Sequence, residues 1–165
     1  MRKQKGFSLI ELLIVVAIIL IIAAIAIPNL LRARIAANES AAASGIRTIN
    51  TGEIAYQSTF PTVGYAAALV NLGPGGVAAA CPTPPTTTAS CEIDGVLAAG
   101  TKQGYIYTYA GVTGTPAVTY QIKNSPTQAN QSGVRTFCSF EDGVVRFAAS
   151  GAIGTCDGTV TVLGQ

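Results

Sequence analysis

Residues 6–31 of the chain read GFSLIELLIVVAIILIIAAIAIPNLL, and this stretch decides the fold. Residues 12–27 are all Leu, Ile, Val or Ala, and Glu11 is the one charged residue within 7–31. A helix of this length extends roughly 37 Å, which is enough to cross a hydrocarbon core of about 30 Å. A helix that is apolar on every side does not suit the core of a small soluble domain. We therefore predict a membrane-spanning helix here.

The charges that flank this segment indicate its direction in the membrane. Three bases precede it, and two follow it: Arg2, Lys3 and Lys5, then Arg32 and Arg34. The excess on the first side favours an amino terminus in the cytoplasm. An ordinary signal peptide fits poorly, because its apolar region is about 7–15 residues long and ends at a small-residue cleavage site.

Glu11 is the feature that a simple membrane anchor does not explain. An ionised carboxylate near the middle of a membrane helix costs about 2.5–3.5 kcal/mol, and less near the end. Such a group needs a cationic partner at the same depth. A plain anchor also leaves unexplained why Gly6-Phe7 lies at the boundary between charged and apolar residues.

The run from Gly6 to Leu13, GFSLIELL, resembles the class III signal of type IV pilins and of the related type II secretion pseudopilins. The resemblance implies that a prepilin peptidase removes residues 1–6 and methylates the new amino terminus at Phe7. It also implies that Glu11 is the acid required for assembly and that Pro28 is the proline that kinks the helix.

The chemistry of the exposed amine agrees with this resemblance. Cleavage would leave an α-amine at Phe7 with a reference pKa of about 8, so it would be mostly protonated at neutral pH. It lies four positions before Glu11, a spacing at which helical neighbours meet. Between subunits the same pair would set the axial register. Pro28 lacks a backbone donor and is expected to bend or loosen the helix.

The remainder of the chain predicts a continuing helix and then a small sheet. Residues 32–57 are rich in Ala and carry an interrupted apolar stripe, so we expect the helix to continue to about Tyr56. Short helices are expected near residues 65–72 and 92–99. Strands are expected where residues alternate with period two and between turn residues: 105–109, 117–123, 134–140 and 144–148.

These elements predict an α+β, pilin-like fold. A leader occupies residues 1–6, a long helix spans 7–57 with its membrane half at 7–31, and an antiparallel β head spans 58–165. The alternation of Tyr105, Tyr107 and Tyr109 places three rings on one strand face, where we expect them to pack on the helix.

The four cysteines are expected to form disulfides in a head outside the cytoplasm. They allow three pairings, of which the local one joins Cys81 to Cys91 and Cys138 to Cys156. Oxidised cysteines are typical of compartments outside the cytoplasm. The absence of histidine and of a C-x-x-C motif argues against a metal site.

The composition argues against an enzyme and against a strongly basic DNA-binding protein. Charged residues make up 11% of the chain, and the net charge is +2. Loss of three bases with the leader would leave 10 − 3 = 7 bases against 8 acids, a net charge of −1. No G-x-S-x-G motif occurs, and no cofactor is expected. DNA capture receives only weak support, through four bases: Lys102, Lys123, Arg135 and Arg146.

The function implied by the resemblance is that of a structural subunit. The chain would sit in the inner membrane and then polymerise with itself into a surface filament for adhesion, motility or DNA uptake. Its partners would be a prepilin peptidase, an inner-membrane platform protein and an assembly ATPase. Two alternatives stay open: a type II secretion pseudopilin that forms a short periplasmic piston, and a membrane-anchored binding module that never polymerises.

Overall fold

The computed structural model describes residues 8–151 and 153–164. A 51-residue helix, α1 (Leu9–Thr59), comes first. A 3-10 helix (Leu69–Leu72) and a short helix, α2 (Gly95–Ala98), follow before the sheet. The chain divides into two compact units after Arg34, and α1 contributes to both.

Five antiparallel strands form one sheet in the order in which they occur in the chain. They are β1 (Thr101–Lys102), β2 (Tyr105–Gly114), β3 (Ala117–Pro126), β4 (Thr136–Phe140) and β5 (Arg146–Ala148). Such a meander needs only short connections. The α+β class predicted from the sequence is confirmed, with a long apolar amino-terminal helix and an antiparallel sheet.

The strand boundaries differ from the predicted ones for local reasons. β4 begins at Thr136 rather than at residue 134, because the N–H groups of Val134 and Arg135 donate to the Glu39 carboxylate instead of to a neighbouring strand. β5 begins at Arg146 because the N–H of Val144 donates to Asp142 Oδ1 within the turn. The two-residue strand β1 was not predicted, since it is too short to show a period.

The predicted helices also differ from the observed ones in length. α1 ends at Thr59, three residues beyond the expected end, just before Phe60-Pro61. Proline cannot continue the backbone hydrogen bonds of a helix and disfavours helical geometry at the preceding residue. The helix expected over 65–72 is reduced to the 3-10 turn, and the one expected over 92–99 to α2, which Asp94 caps by accepting from the Leu97 N–H.

The core lies between the carboxyl-terminal half of α1 and the sheet. Ile46 and Ile49 on α1 are completely buried, and each contributes about 1.5–3 kcal/mol by leaving water. Tyr105 and Tyr107 on β2 are buried in the same cluster, and Tyr109 packs against it. The prediction that the three tyrosines pack as a core face is therefore confirmed.

Candidate functional site

The apolar side chains in the amino-terminal part of α1 are exposed and are not packed against the rest of the chain. Its large apolar residues from Leu9 to Leu31 are exposed, at 73% for Leu9 and 70% for Leu30. Within the described residues, α1 is the one helix long and apolar enough to cross a membrane. An exposed apolar surface of this extent is typical of a segment that contacts lipid or other proteins.

Glu11 has a partner at the start of the helix that the sequence analysis did not identify. The backbone N–H of Ser8 donates to Glu11 Oε2 at 3.0 Å. Ser8 directly precedes α1 and Glu11 is its third residue, so the pair has the Ser-x-x-Glu spacing of a capping box. That spacing is visible in the sequence and could have indicated the contact. Glu11 therefore caps the helix within one chain, besides any contact with another chain.

The expected cleavage and methylation positions, Gly6 and Phe7, lie outside the described residues. The proposed contact between the Phe7 amine and Glu11 thus stays a prediction. Pro28 lies inside α1 with helical residues on both sides. Its missing N–H removes one helical hydrogen bond at this point.

The head is cross-linked by two local disulfides. The structure joins Cys81 to Cys91 and Cys138 to Cys156, each with a Cα–Cα distance of 5.9 Å. The second disulfide ties the carboxyl-terminal segment to the buried strand β4. Among the described residues, no group of three or more His, Cys, Asp or Glu side chains is placed to hold a metal ion.

Glu39 on α1 holds the entry to β4 by three hydrogen bonds. Its Oε1 accepts from the N–H groups of Val134 and Arg135 at 2.9 and 3.0 Å, and its Oε2 accepts from Arg135 Nε at 2.7 Å. Burial opposes ionisation of this side chain, but the hydrogen bonds from Arg135 and Val134 outweigh it and lower the pKa of Glu39. The carboxylate is therefore a charged anchor between helix and sheet.

Glu53 is a second buried acid on α1, and it has no basic partner among the described residues. Its Oε2 accepts from the Ala66 N–H at 3.0 Å, and its Oε1 lies 2.5 Å from the Tyr109 hydroxyl. Burial raises the pKa of Glu53 to about 7, although both hydrogen bonds act in the opposite direction. The Tyr109 hydroxyl also lies 2.8 Å from the Ala66 carbonyl oxygen. A protonated Glu53 can donate to the tyrosine oxygen, which frees the tyrosine proton for that carbonyl.

Asn50, between these two acids, also crosses from α1 to the sheet. Its Nδ2 donates to Ser139 Oγ and to the Gly143 carbonyl oxygen, both at 2.9 Å, and its Oδ1 accepts from the Tyr120 hydroxyl at 3.0 Å. A buried amide whose nitrogen and oxygen both form hydrogen bonds fixes the position of its partners. Glu39, Asn50 and Glu53 thus set the register of the sheet on the helix.

The four bases considered for DNA capture do not form a free positive patch. Three of them form ion pairs at 2.6–2.8 Å: Lys102 with Asp94, Arg135 with Glu39, and Arg146 with Asp142. The fourth, Lys123, donates to the Gly154 carbonyl oxygen. Paired bases attract phosphate weakly, so this arrangement gives nucleic-acid binding little support.

Comparison with known proteins identifies the amino-terminal segment. Residues 1–27 match the family model described as the prokaryotic N-terminal methylation motif. At its amino terminus the chain therefore carries this methylation motif. The chain is similar to the type IV wide pilus major component PilA4 of Thermus thermophilus, with 68% identity over 40 residues. It is also similar to the type IV major pilin protein PilA of Myxococcus xanthus, with 43% identity over 56 residues.

These similarities cover only a part of each protein. The matched region is 24% of this chain and 30% of the first relative, and 34% of this chain and 26% of the second. The chain therefore spans less than a third of the length of either relative in the comparison. No solved structure matches the chain significantly. The resemblance to prepilins stated from the sequence is confirmed for the processing segment.

Proposed function

We propose that this chain is a prepilin whose mature form polymerises through α1 into a type IV pilus filament. The observation that carries the proposal is the exposed apolar half of α1, with Glu11 as its one charged residue beyond residue 7 and before Arg32. Before assembly, this apolar surface lies within the lipid bilayer. It then suits a bundle of identical helices, in which each acid meets the amine of a neighbour.

Processing and location follow from the same segment. A prepilin peptidase removes residues 1–6 at the cytoplasmic face and methylates Phe7. The mature subunit then begins at Phe7 and consists of the long helix, which ends at Thr59 rather than at residue 57 as expected from the sequence, and of the head that follows it. The subunit crosses the inner membrane once, at 7–31, until a platform protein and an assembly ATPase add it to the surface filament. The expected use of such a filament is adhesion, motility or DNA uptake.

The contact across the subunit interface gives Glu11 its role in this proposal. The carboxylate lies four positions after the amine that cleavage creates, which is about 6 Å along the helix axis. The two charges therefore meet on adjacent copies when one copy is displaced by about one helical turn. The capping contact with Ser8 uses one carboxylate oxygen, Oε2. The other oxygen is then the acceptor for a neighbouring amine.

The second candidate function is that of a type II secretion pseudopilin, which shares the processing segment and forms a short periplasmic piston. The matches to two proteins named as major pilus components favour the pilus. A membrane-anchored binding module that never polymerises is the third candidate. It requires that Glu11 be dispensable.

Imaging of material sheared from cells that express the full chain tests the proposal. We expect long filaments that contain this chain, and mass spectrometry of that material should identify methylated Phe7 as its first residue. Short assemblies retained in the periplasm would favour the pseudopilin. A mature protein that keeps Met1 would refute the processing step.

A further inference from the structure

A hollow of about 230 Å³ opens on the surface of the head beside α1. Its walls combine an apolar part with two guanidinium groups, Arg47 of α1 and Arg135 at the entry to β4. The apolar part includes Ala43 and Phe137. A hollow lined by apolar side chains and two guanidinium groups fits a side chain with a short apolar stem and an anionic end.

The positive charge of this hollow exceeds its negative charge. Glu39 is its acid, and that carboxylate already accepts three hydrogen bonds, two from backbone N–H groups and one from Arg135. Within the described part of the chain, Arg47 is exposed and forms no ion pair. The three charged side chains thus sum to 2 − 1 = +1. One further carboxylate would neutralise the site.

The end of β4 that is opposite to Arg135 carries an acid that has no basic partner among the described residues. Arg135 directly precedes β4, and Glu141 directly follows it, which places them about 20 Å apart along the strand. The turn after β4 lies beside Asn50, whose Nδ2 donates to the Gly143 carbonyl oxygen. Glu141 is exposed and forms no ion pair in the described part of the chain. The base Arg135 and the acid Glu141 therefore lie at opposite ends of β4.

The neighbouring acids are already engaged. Asp142 pairs with Arg146 at 2.6 Å, and Asp157 Oδ1 accepts from the N–H and the hydroxyl of Thr159. Glu141 is thus an exposed acid at the carboxyl end of β4, without an ion pair in the described part of the chain, and is available to a base on another molecule. Each chain carries both the base end and the acid end of β4. When the base end of one copy binds the acid end of the next, each terminal copy keeps one end exposed. The contact can therefore repeat along a polymer without closing into a ring.

We propose that the hollow beside Arg47 and Arg135 binds the Glu141 carboxylate of a second copy of this chain. The contact joins heads, whereas Glu11 acts in the apolar helix. The inference rests on the proposed function, because a contact that repeats between neighbouring heads can form only when the subunits polymerise. Its role is to select the angular and axial position of each new subunit by charge complementarity.

Charge reversal in cells that express the full chain tests this contact. We expect Arg47→Glu and Glu141→Lys each to lower the ratio of sheared filament protein to membrane-bound protein by about tenfold, since like charges then face each other. The double variant should recover most of the wild-type ratio. Lys123→Glu is the matched control, because Lys123 lies on β3 and contacts the Gly154 carbonyl oxygen. It should leave the ratio near that of the wild type.

A crosslinking experiment locates the contact independently of any effect on folding. A photo-reactive amino acid replaces Ser40, which lines the hollow, and filaments are grown from mixed isotope-labelled and unlabelled chains. Irradiation should join residue 40 of one chain to a peptide of another chain that contains Glu141. Attachment to a different segment, or a double variant no better than the single ones, overturns the inference while wild-type filaments persist. Absence of wild-type filaments would instead refute the proposed function, and the inference with it.

Discussion

The carboxyl group of Glu53 on α1 meets the hydroxyl of Tyr109 on β2 at 2.5 Å, and Glu53 is completely buried. The groups that face it from the packed elements are tyrosines and one backbone N–H, that of Ala66. An acid in such surroundings favours its neutral form. We therefore expect the protonation of Glu53 to contribute to the stability of the head.

We predict that the head loses stability as the pH rises through neutrality. Burial raises the pKa of Glu53 from 4.5 to about 7. Because the folded pKa is the higher one, the contribution is complete below about pH 4.5 and is lost as the pH rises through 7. The difference corresponds to about 3 kcal/mol. Denaturant unfolding of the purified full chain in detergent, at pH values from 4.5 to 8, measures it.

Two variants separate Glu53 from the other acids in this experiment. Glu53→Gln keeps an oxygen acceptor without a titrating group, so its unfolding free energy should vary less with pH. Glu141→Gln changes an exposed acid on the turn after β4 and should retain the wild-type dependence. An unchanged dependence in Glu53→Gln would show that another group is responsible.

Gly45 on α1 should not tolerate alanine, although alanine is the better helix former. A Cβ at residue 45 would lie 2.9 Å from Tyr107 Cζ and would overlap the hydroxyl oxygen. We expect the overlap to cost about 1–3 kcal/mol, more than the roughly 1 kcal/mol that alanine gains over glycine in a helix. Urea unfolding of Gly45→Ala measures the net loss.

Tyr107→Phe provides the test of this explanation. The double variant with Gly45→Ala should lose less stability than the sum of the two single changes, because the phenylalanine lacks the overlapping oxygen. Gly154→Ala is the control, since a Cβ there meets nothing within 4 Å. A Gly45→Ala variant more stable than wild type would contradict the close approach.

Glu11→Ala should leave the subunit in the membrane but reduce filament formation. Removing one partner of a buried ion pair costs about 3–5 kcal/mol, because the other charge is left without compensation. The ratio of sheared to membrane-bound protein, measured by immunoblot, reports this loss. Glu92→Ala removes an acid in the head and serves as the control. Normal filaments in Glu11→Ala would exclude the proposed ion pair.

Glu11→Gln distinguishes the ion pair from the capping contact with Ser8. Glutamine keeps an oxygen that accepts from the Ser8 N–H but carries no charge. If the charge sets the register, Gln should assemble as poorly as Ala. Assembly of Gln at the wild-type level would mean that the capping bond, and not the charge, is the essential contribution.

Peptide mapping without reduction should recover Cys138 linked to Cys156, and Cys81 linked to Cys91. The cysteines are 18 residues apart in the Cys138–Cys156 disulfide and 10 residues apart in the Cys81–Cys91 disulfide. Each disulfide closes a loop of the unfolded chain and so stabilises the head by about 3 kcal/mol. Replacing Cys138 and Cys156 together by Ala should lower the unfolding free energy by about this amount. Any other linkage in the native protein would refute the pairing.

The sequence was sufficient to predict the features whose signal is local. The unbroken apolar run over 12–27 and the alternation over 105–109 and 117–123 each depend on residues close together in the chain, so composition and period reveal them. The anchoring roles of Glu39 and Glu53 could not be predicted in this way. Their partners lie as far as 96 and 56 residues away, and an isolated acid on a helix ordinarily faces water.

The same distinction applies to the candidate site. The contact between Ser8 and Glu11 has a short-range pattern, the Ser-x-x-Glu spacing, so the sequence alone is enough to predict it. The hollow beside Arg47 and Arg135 has no such pattern, since these residues are far apart in sequence and only the packing of β4 on α1 brings them together.

The three polar anchors of α1 have a mechanical consequence. Glu39, Asn50 and Glu53 engage the entry to β4, the turn after it, and the segment at Ala66, so they are spread along one helix face. Tension applied along the helix would strain all of these hydrogen bonds together in shear, rather than peel them apart one after another. A fibre built from such subunits would keep its heads attached while its shaft is stretched.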